Sequence, residues 1–366
     1  MPHFEERVLN LRKLLSMRSS LPLVQAPMAG GITGSDLVAA VSSAGCLGSV
    51  GAGGMRPASL RALIREIRSK TSAPFNVNLM VPSPPRIIPV QLNRMLEALK
   101  PFYDQLLQPL PEVPTSDSSE EVFEELFQVV VDEKVPIVSF VFGIPSKEKI
   151  QLLKSLGVKV MGTATSVEEG IALQAADFDV IVAQSSEAGG HRGSFLDRSH
   201  PQLVPLPSLI TSLSHAVELP IVAAGGIVNG GDIYAALRLG AAGVQMGTAF
   251  ITTHESSAKS CYKRSLLGLG GSGKGSTVVT KAYTGRWARG MKNEFTDCFE
   301  GFEDVPDYPL QSALTEGLRV QAARVERTDL MCMWAGERFA ACRDSSVADL
   351  IRSLATEFDA AAAREA

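Results

Sequence analysis

Aromatic residues are scarce in this 366-residue chain, at 6%, with two Trp and five Tyr. Cysteine is also sparse: five residues at 46, 261, 298, 332 and 342, an odd number with no C-x-x-C spacing. That pattern argues against a disulfide framework or a zinc ribbon and suits a reducing compartment. No apolar run reaches the roughly 18 residues needed to span a bilayer. The opening MPHFEERVLNLRKLLSMRSS lacks the apolar stretch of a secretory signal. Charge of neither sign dominates: 35 Lys and Arg stand against 39 Asp and Glu, a net of -4. No basic field therefore invites nucleic acid or anionic lipid. What is left is an expected cytoplasmic protein with no nucleic-acid or membrane partner, no metal, and a core large enough to need no staple.

What the chain does have is an alternation of short apolar runs with helical windows. The strand candidates are 21–27 (LPLVQAP), 46–50, 75–80 (FNVNLM), 136–141, 158–162, 179–184 (DVIVAQ), 220–224 and 243–247 (GVQMG). They are Val- and Ile-rich and apolar throughout, as strands of a parallel sheet covered by helices must be. Helices are expected at 35–44, 57–69, 147–156, 167–176 and 232–239. Three end on a glycine that leads straight into a strand, at Gly45, Gly157 and Gly240. Ser166 with Glu169 has the spacing of a capping box. Eight βα steps in about 250 residues predict an α/β fold, a (β/α)8 TIM barrel, with an open doubly wound sheet as the alternative. The barrel is expected over 1–253 with a helical excursion at 84–135. A cap or substrate domain follows over 254–335, and a C-terminal helix over 336–366 returns to the barrel.

In such a barrel, ligands sit at the C-terminal strand ends, and a phosphate is commonly held after strands seven and eight. Those ends read AAGGI, with Gly225 and Gly226, and QMGT, with Gln245, Met246, Gly247 and Thr248. Glycine lets backbone N–H groups converge on an anion, and a following helix start adds its dipole. A plain chain turn is the alternative for Gly225 and Gly226. The sixth end, AQSSEAGGHRGSF, brings Gln184, Glu187, Gly189 and Gly190 before His191, the side chain suited to proton exchange near neutral pH. The first end offers Met28 in QAPMAGG, the third Asn78 in NVNLMVP, and each is also plausible turn chemistry. His3, His200, His215 and His254 lack such a setting. GLGGSG at 268–273 formally satisfies G-x-G-x-x-G, but no strand precedes it and Gly275 follows Lys274; a loop in the cap is expected.

Together QAPMAGG, PFNVNLMVP, IVAQSSEAGGHRGSF, PIVAAGGI and GVQMGTAFI resemble, in this order, the nitronate monooxygenases, formerly 2-nitropropane dioxygenases. TGRWARGMKNEF and DYPLQ match more loosely, and EAGGHRG is similar to the class I branch. The resemblance implies an FMN flavoprotein that oxidises alkyl nitronates, such as propionate 3-nitronate, or nitroalkanes with dioxygen to a carbonyl product and nitrite. It implies FMN contacts at Met28, Asn78, Gln184, Gly189, Gly226 and Gln245 to Thr248, and His191 as the catalytic histidine. Monomer and homodimer both remain open. Ser185 stands where the family usually has glycine and Glu337 where many members have Gln. The alternatives are an FMN-dependent enoyl-acyl-carrier-protein reductase using NAD(P)H, which is similar around EAGGH and AAGGI, and a non-redox barrel binding a phosphate ligand.

Overall fold

The computed structural model describes residues 2–112, 119–272 and 275–365. Each expected strand is present, with ends moved by at most two residues: β1 (Leu23–Gln25), β2 (Gly48–Gly51), β3 (Phe75–Met80), β4 (Ile137–Val141), β5 (Lys159–Ala164) and β6 (Val180–Gln184). After a two-residue strand, β7 (Gly190–His191), come β8 (Ile221–Ala224) and β9 (Gly243–Met246). The parallel order is β1-β9-β8-β6-β5-β4-β3-β2. The ring closes between its ends, where Val24 bridges Leu47 and Gln25 N donates to Leu47 O at 2.9 Å. This is a (β/α)8 TIM barrel.

Alternation along the strands sorts side chains between the barrel interior and the helical shell. Val24, Ile137, Met161, Val182 and Val222 form a dry lower layer, plugged from below by Leu11 and Leu15, both fully buried. Above it the interior turns polar. Asn76 donates to the hydroxyls of Ser49 (3.2 Å) and Ser139 (2.9 Å), and Asn78 donates to Ser139 Oγ at 3.0 Å. Outward-facing Leu23, Ala223 and Val244 instead pack against helices, the C-terminal Val347–Glu365 among them.

The helix ends at Gly45, Gly157 and Gly240 have φ of +83°, +76° and +124°, the left-handed closure their sequence predicts. The expected box at Ser166 is only half formed. Ser166 accepts from Glu169 N, but the Glu169 carboxylate serves Thr165 N at 2.7 Å and, across the barrel rim, Phe195 N at 2.5 Å. A buried carboxylate with backbone donors on both sides satisfies more orphans this way.

The excursion at 84–135 divides between two cores; its residues 113–118 lie outside the described ones. Helix Pro89–Gln105 buries Leu92, Met95 and Leu99 with Phe295, Leu314 and Leu330, beside the mouth of the barrel. Helix Ser119–Asp132 buries Phe123 and Phe127 against the barrel shell. Just beyond it Glu133, 9% exposed, meets Arg61 (3.0 Å), Arg65 (2.9 Å) and Arg68 (3.3 Å) of helix Pro57–Lys70. Burial alone would raise its pKa, but the Arg65 and Arg61 contacts outweigh that and hold it below the ordinary carboxylate value. A depressed pKa contributes stability above the unfolded value, about 4.3, that is lost as pH falls through the folded one. Glu133→Gln is expected to lower Tm at pH 7 and to lose less stability than the parent on acidification; equal Tm curves from pH 7 to 3 would refute the cluster's role.

Residues 260–272 form a helix, Ser260–Ser272, correcting the loop expected around GLGGSG. Continuous i to i-4 bonding is incompatible with a phosphate-cradling loop there. Gly273 and Lys274 lie outside the described residues. No described helix is long and apolar enough to cross a membrane.

Candidate active site

The predicted residues converge on the C-terminal mouth of the barrel, where the strand ends and a second small sheet meet. That sheet is built from β10 (Thr277–Thr280), β11 (Ala288–Met291) and β7, all antiparallel. His191 pairs with Ala288 and Gly190 with Arg289. His191 is therefore not on a free loop, as its sequence setting suggests, but lies on the edge strand of this second sheet.

Gln184, at the end of β6, fixes this turn from beneath. Its Nε2 donates to His191 O at 2.9 Å, and its Oε1 accepts from Gly193 N at 2.7 Å. Arg192, 1% exposed, points the other way and donates to Ser185 O (2.5 Å), Gln184 O (3.0 Å) and Gln202 O (2.9 Å). A buried guanidinium whose two Nη atoms hold three carbonyls, its Nε left without a partner among the described residues, cross-ties the loop after β6 to itself. Sequence reasoning passed over Arg192, since a surface arginine reads the same in one dimension.

The imidazole of His191 lies among rings. Trp334, Phe142 and Tyr308 have centroids 5.3, 5.8 and 6.2 Å away, and Thr284 Oγ1 lies 2.9 Å from its Nε2. Phe142 is held at φ +75°, a strained conformation for a non-glycine residue, and its ring carries the Arg286 guanidinium at 3.7 Å. Burial first, then the cationic Arg286 and Arg319, lower the His191 pKa to about 3. The ring is neutral at physiological pH and weakly basic, yet it sits in a positive field. Thr284, Arg286, Tyr308 and Trp334 escaped the sequence reading because they arrive from the cap, 93 or more positions downstream. Short-range signals do not reach so far.

The glycine turns face the same mouth. Gly225 and Gly226 have φ of +113° and +69°. A Cβ on Gly225 would overlap Ser185 Oγ and stand 2.9 Å from Ala188 N. Among the described residues the backbone N–H groups of Gly225, Gly226 and Gly247 have no acceptor. Free amides at glycine turns are what an anionic group such as a phosphate fits. The expected help from helix starts is not there. Helix Gly230–Arg238 is closed by its own box, with Asn229 accepting from Asp232 N at 2.8 Å and Asp232 from Asn229 N at 3.2 Å. The helix after β9, Thr248–Ile251, has only four residues.

The remaining candidates separate by orientation. Met28 turns its sulfur towards Gly247, 3.8 Å from where a Cβ would stand. Gln245, half-buried, faces the barrel interior, whereas Met246 packs in the outer core and offers the mouth only backbone. Asn78 is inside β3 rather than at its end. Thr248 Oγ1 already accepts from Gly336 N at 3.0 Å, and a Cβ on Gly189 would meet Gly336 N at 2.5 Å. Ser185 is buried beneath Gly225. Glu337 turns aside to Arg289 at 2.8 Å. Among the described residues no group of three or more His, Cys, Asp or Glu could hold a metal.

A closed (β/α)8 barrel, polar at its mouth and walled there by a second sheet carrying a histidine, belongs among the barrel enzymes. The family described as nitronate monooxygenase matches residues 12–357. A probable nitronate monooxygenase of Staphylococcus haemolyticus is 42% identical over 325 residues, 88% of this chain and 89% of that one. Its counterpart in Staphylococcus aureus strain Newman is 41% identical over 331 residues, 90% and 92% of the two chains. Among solved structures, nitroalkane oxidase from Streptomyces ansochromogenes has a TM-score of 0.90 at 35% identity, covering 97% of this chain and 99% of that one. FabK from Thermotoga maritima has 0.74 at 29%, covering 97% of both. The chain belongs to the nitronate monooxygenase family, and it is an oxidoreductase.

Proposed function

We propose that this protein uses FMN to oxidise alkyl nitronates, propionate 3-nitronate among them, with dioxygen. Two nitronates and one dioxygen give two carbonyl products and two nitrites. FMN, when bound, supplies the electron transfer between substrate and dioxygen. Its phosphate suits the free amides at Gly225, Gly226 and Gly247. Met28, Asn78, Gln184, Gly189, Gln245, Thr248 and the Met246 backbone are the other groups proposed to hold it.

The observation that carries this reading is the His191 imidazole, held 2.9 Å from Thr284 Oγ1 among three aromatic rings, at the same mouth as the unpartnered amides of the glycine turns. A nitronate is an anion, so Arg286 and Arg319 draw it in, and the imidazole can hydrogen-bond its nitro group without needing to be charged. A base of pKa near 3 is poorly matched to removing a carbon-bound proton, which favours substrates that arrive already deprotonated over neutral nitroalkanes. Phe142, Tyr308 and Trp334 keep water from the bound substrate. The test is oxygen uptake and nitrite release by FMN-loaded protein, without nicotinamide, on propionate 3-nitronate, propyl-1-nitronate and their parent nitroalkanes. Nitronates are expected to react at least tenfold faster than the parents. NADH oxidation driven by an enoyl thioester, with no oxygen uptake on nitronates, would replace this reading with the enoyl reductase one.

A further inference from the structure

The segment between the cap and the C-terminal helix runs across both glycine turns. Trp334 bridges Gly290 of β11 at the start of this strap, and Phe339 is buried near its far end. Gly336 N donates to Thr248 Oγ1, Glu337 N to Glu187 O at 3.0 Å, and Cys342 Sγ to Thr248 O at 3.4 Å. Arg338 reaches from it to the turn after β8. Its Nη1 donates to Gly226 O at 2.9 Å and pairs with Asp232 Oδ1 at 2.8 Å. Asp232 is itself held, because its other oxygen accepts from Val228 N at 2.9 Å and Asn229 N at 3.2 Å. The guanidinium is therefore fixed on a rigid carboxylate and grips one carbonyl of the glycine turn.

We propose that Arg338 is a positioning residue for the flavin's phosphate. It clamps the Gly226 carbonyl outward, and so sets the peptide planes that aim the amides of Gly225 to Ile227 at the anion. A peptide's C=O and N–H point in opposite directions, so holding the carbonyl of Gly226 on the strap side turns the N–H of Ile227 to the other. Glycine at +113° and +69° has wide conformational freedom, and without an external tether this turn pays an ordering cost when the anion binds. Arg338 removes that cost in advance. Its carbonyl contact is charge-assisted and its guanidinium half-exposed, which places it outside the reacting centre.

The inference rests on the FMN reading, and the experiment separates the two. Apoprotein is titrated with FMN and with riboflavin by quenching of flavin fluorescence, for the parent, Arg338→Ala and Arg338→Lys. Arg338→Ala is expected to weaken FMN about tenfold and to leave riboflavin, which has no phosphate, within about twofold; Arg338→Lys should recover part of the loss. Equal losses for both flavins would make Arg338 a general structural prop and overturn the proposal, as would unchanged FMN affinity. A parent that binds neither flavin overturns the FMN reading itself. Circular dichroism of each variant identifies one that has failed to fold, and Arg338→Gln then takes its place.

Discussion

His191→Asn is expected to lower turnover of nitronates by about a hundredfold or more while the bound flavin keeps its absorbance spectrum. The side chain is flanked by Trp334, Phe142 and Tyr308, and among the described residues its polar side-chain contact is Thr284 at 2.9 Å. Asparagine keeps the bulk polarity and the β7 backbone pairing but lacks the second ring nitrogen. Oxygen-electrode rates on propionate 3-nitronate decide it, and an unchanged rate would remove His191 from the mechanism. The depressed pKa adds a second signature. A histidine near 3 in the folded protein and about 6.5 unfolded makes the native state lose stability as pH falls below 6.5, since only the unfolded chain takes up the proton. His191→Asn should therefore show a smaller fall in Tm between pH 6.5 and pH 4 than the parent.

Arg192→Met is expected to cost about 3 kcal/mol of stability, because three carbonyls that lose a charged donor are left buried, each worth about 1 kcal/mol. The residue is 1% exposed, and Ser185, Gln184 and Gln202 have their carbonyls on its guanidinium. Methionine fills the aliphatic path but returns none of those bonds. Denaturant unfolding measures the loss. Because the same bonds shape the turn that carries His191, flavin-saturated activity should fall even at temperatures where the variant is folded. A loss under 1 kcal/mol would mean that water replaces the guanidinium.

The barrel was legible because each strand is a local event: a short apolar run with a polar strand end after it and, before three of them, a glycine closing the preceding helix. FNVNLM, for example, corresponds residue for residue to β3. Gly225, Gly226 and Gln184 were legible for the same reason, as strand ends in a fold whose ligands sit at strand ends. The walls around the imidazole were not. Phe142 is recognisable only through its strained backbone, and Thr284 and Trp334 only once β7 is paired with β11. Helix dipoles were over-read, because Asn229 and Asp232 close the helix after β8 before any ligand arrives. The sequence places Met246 at the mouth but does not show that its side chain packs outward, because a one-residue shift along a strand exchanges interior for shell.

The pairing of His191 with Ala288 welds the residue proposed to act on substrate to the roof above it. A roof swinging away to admit substrate would carry its own chemistry with it and dismantle the site at every cycle. Any opening of the mouth must therefore leave β7 paired with β11. A crosslink freezing the roof onto the barrel should leave catalysis running, whereas substitutions that part β7 from β11 should stop it.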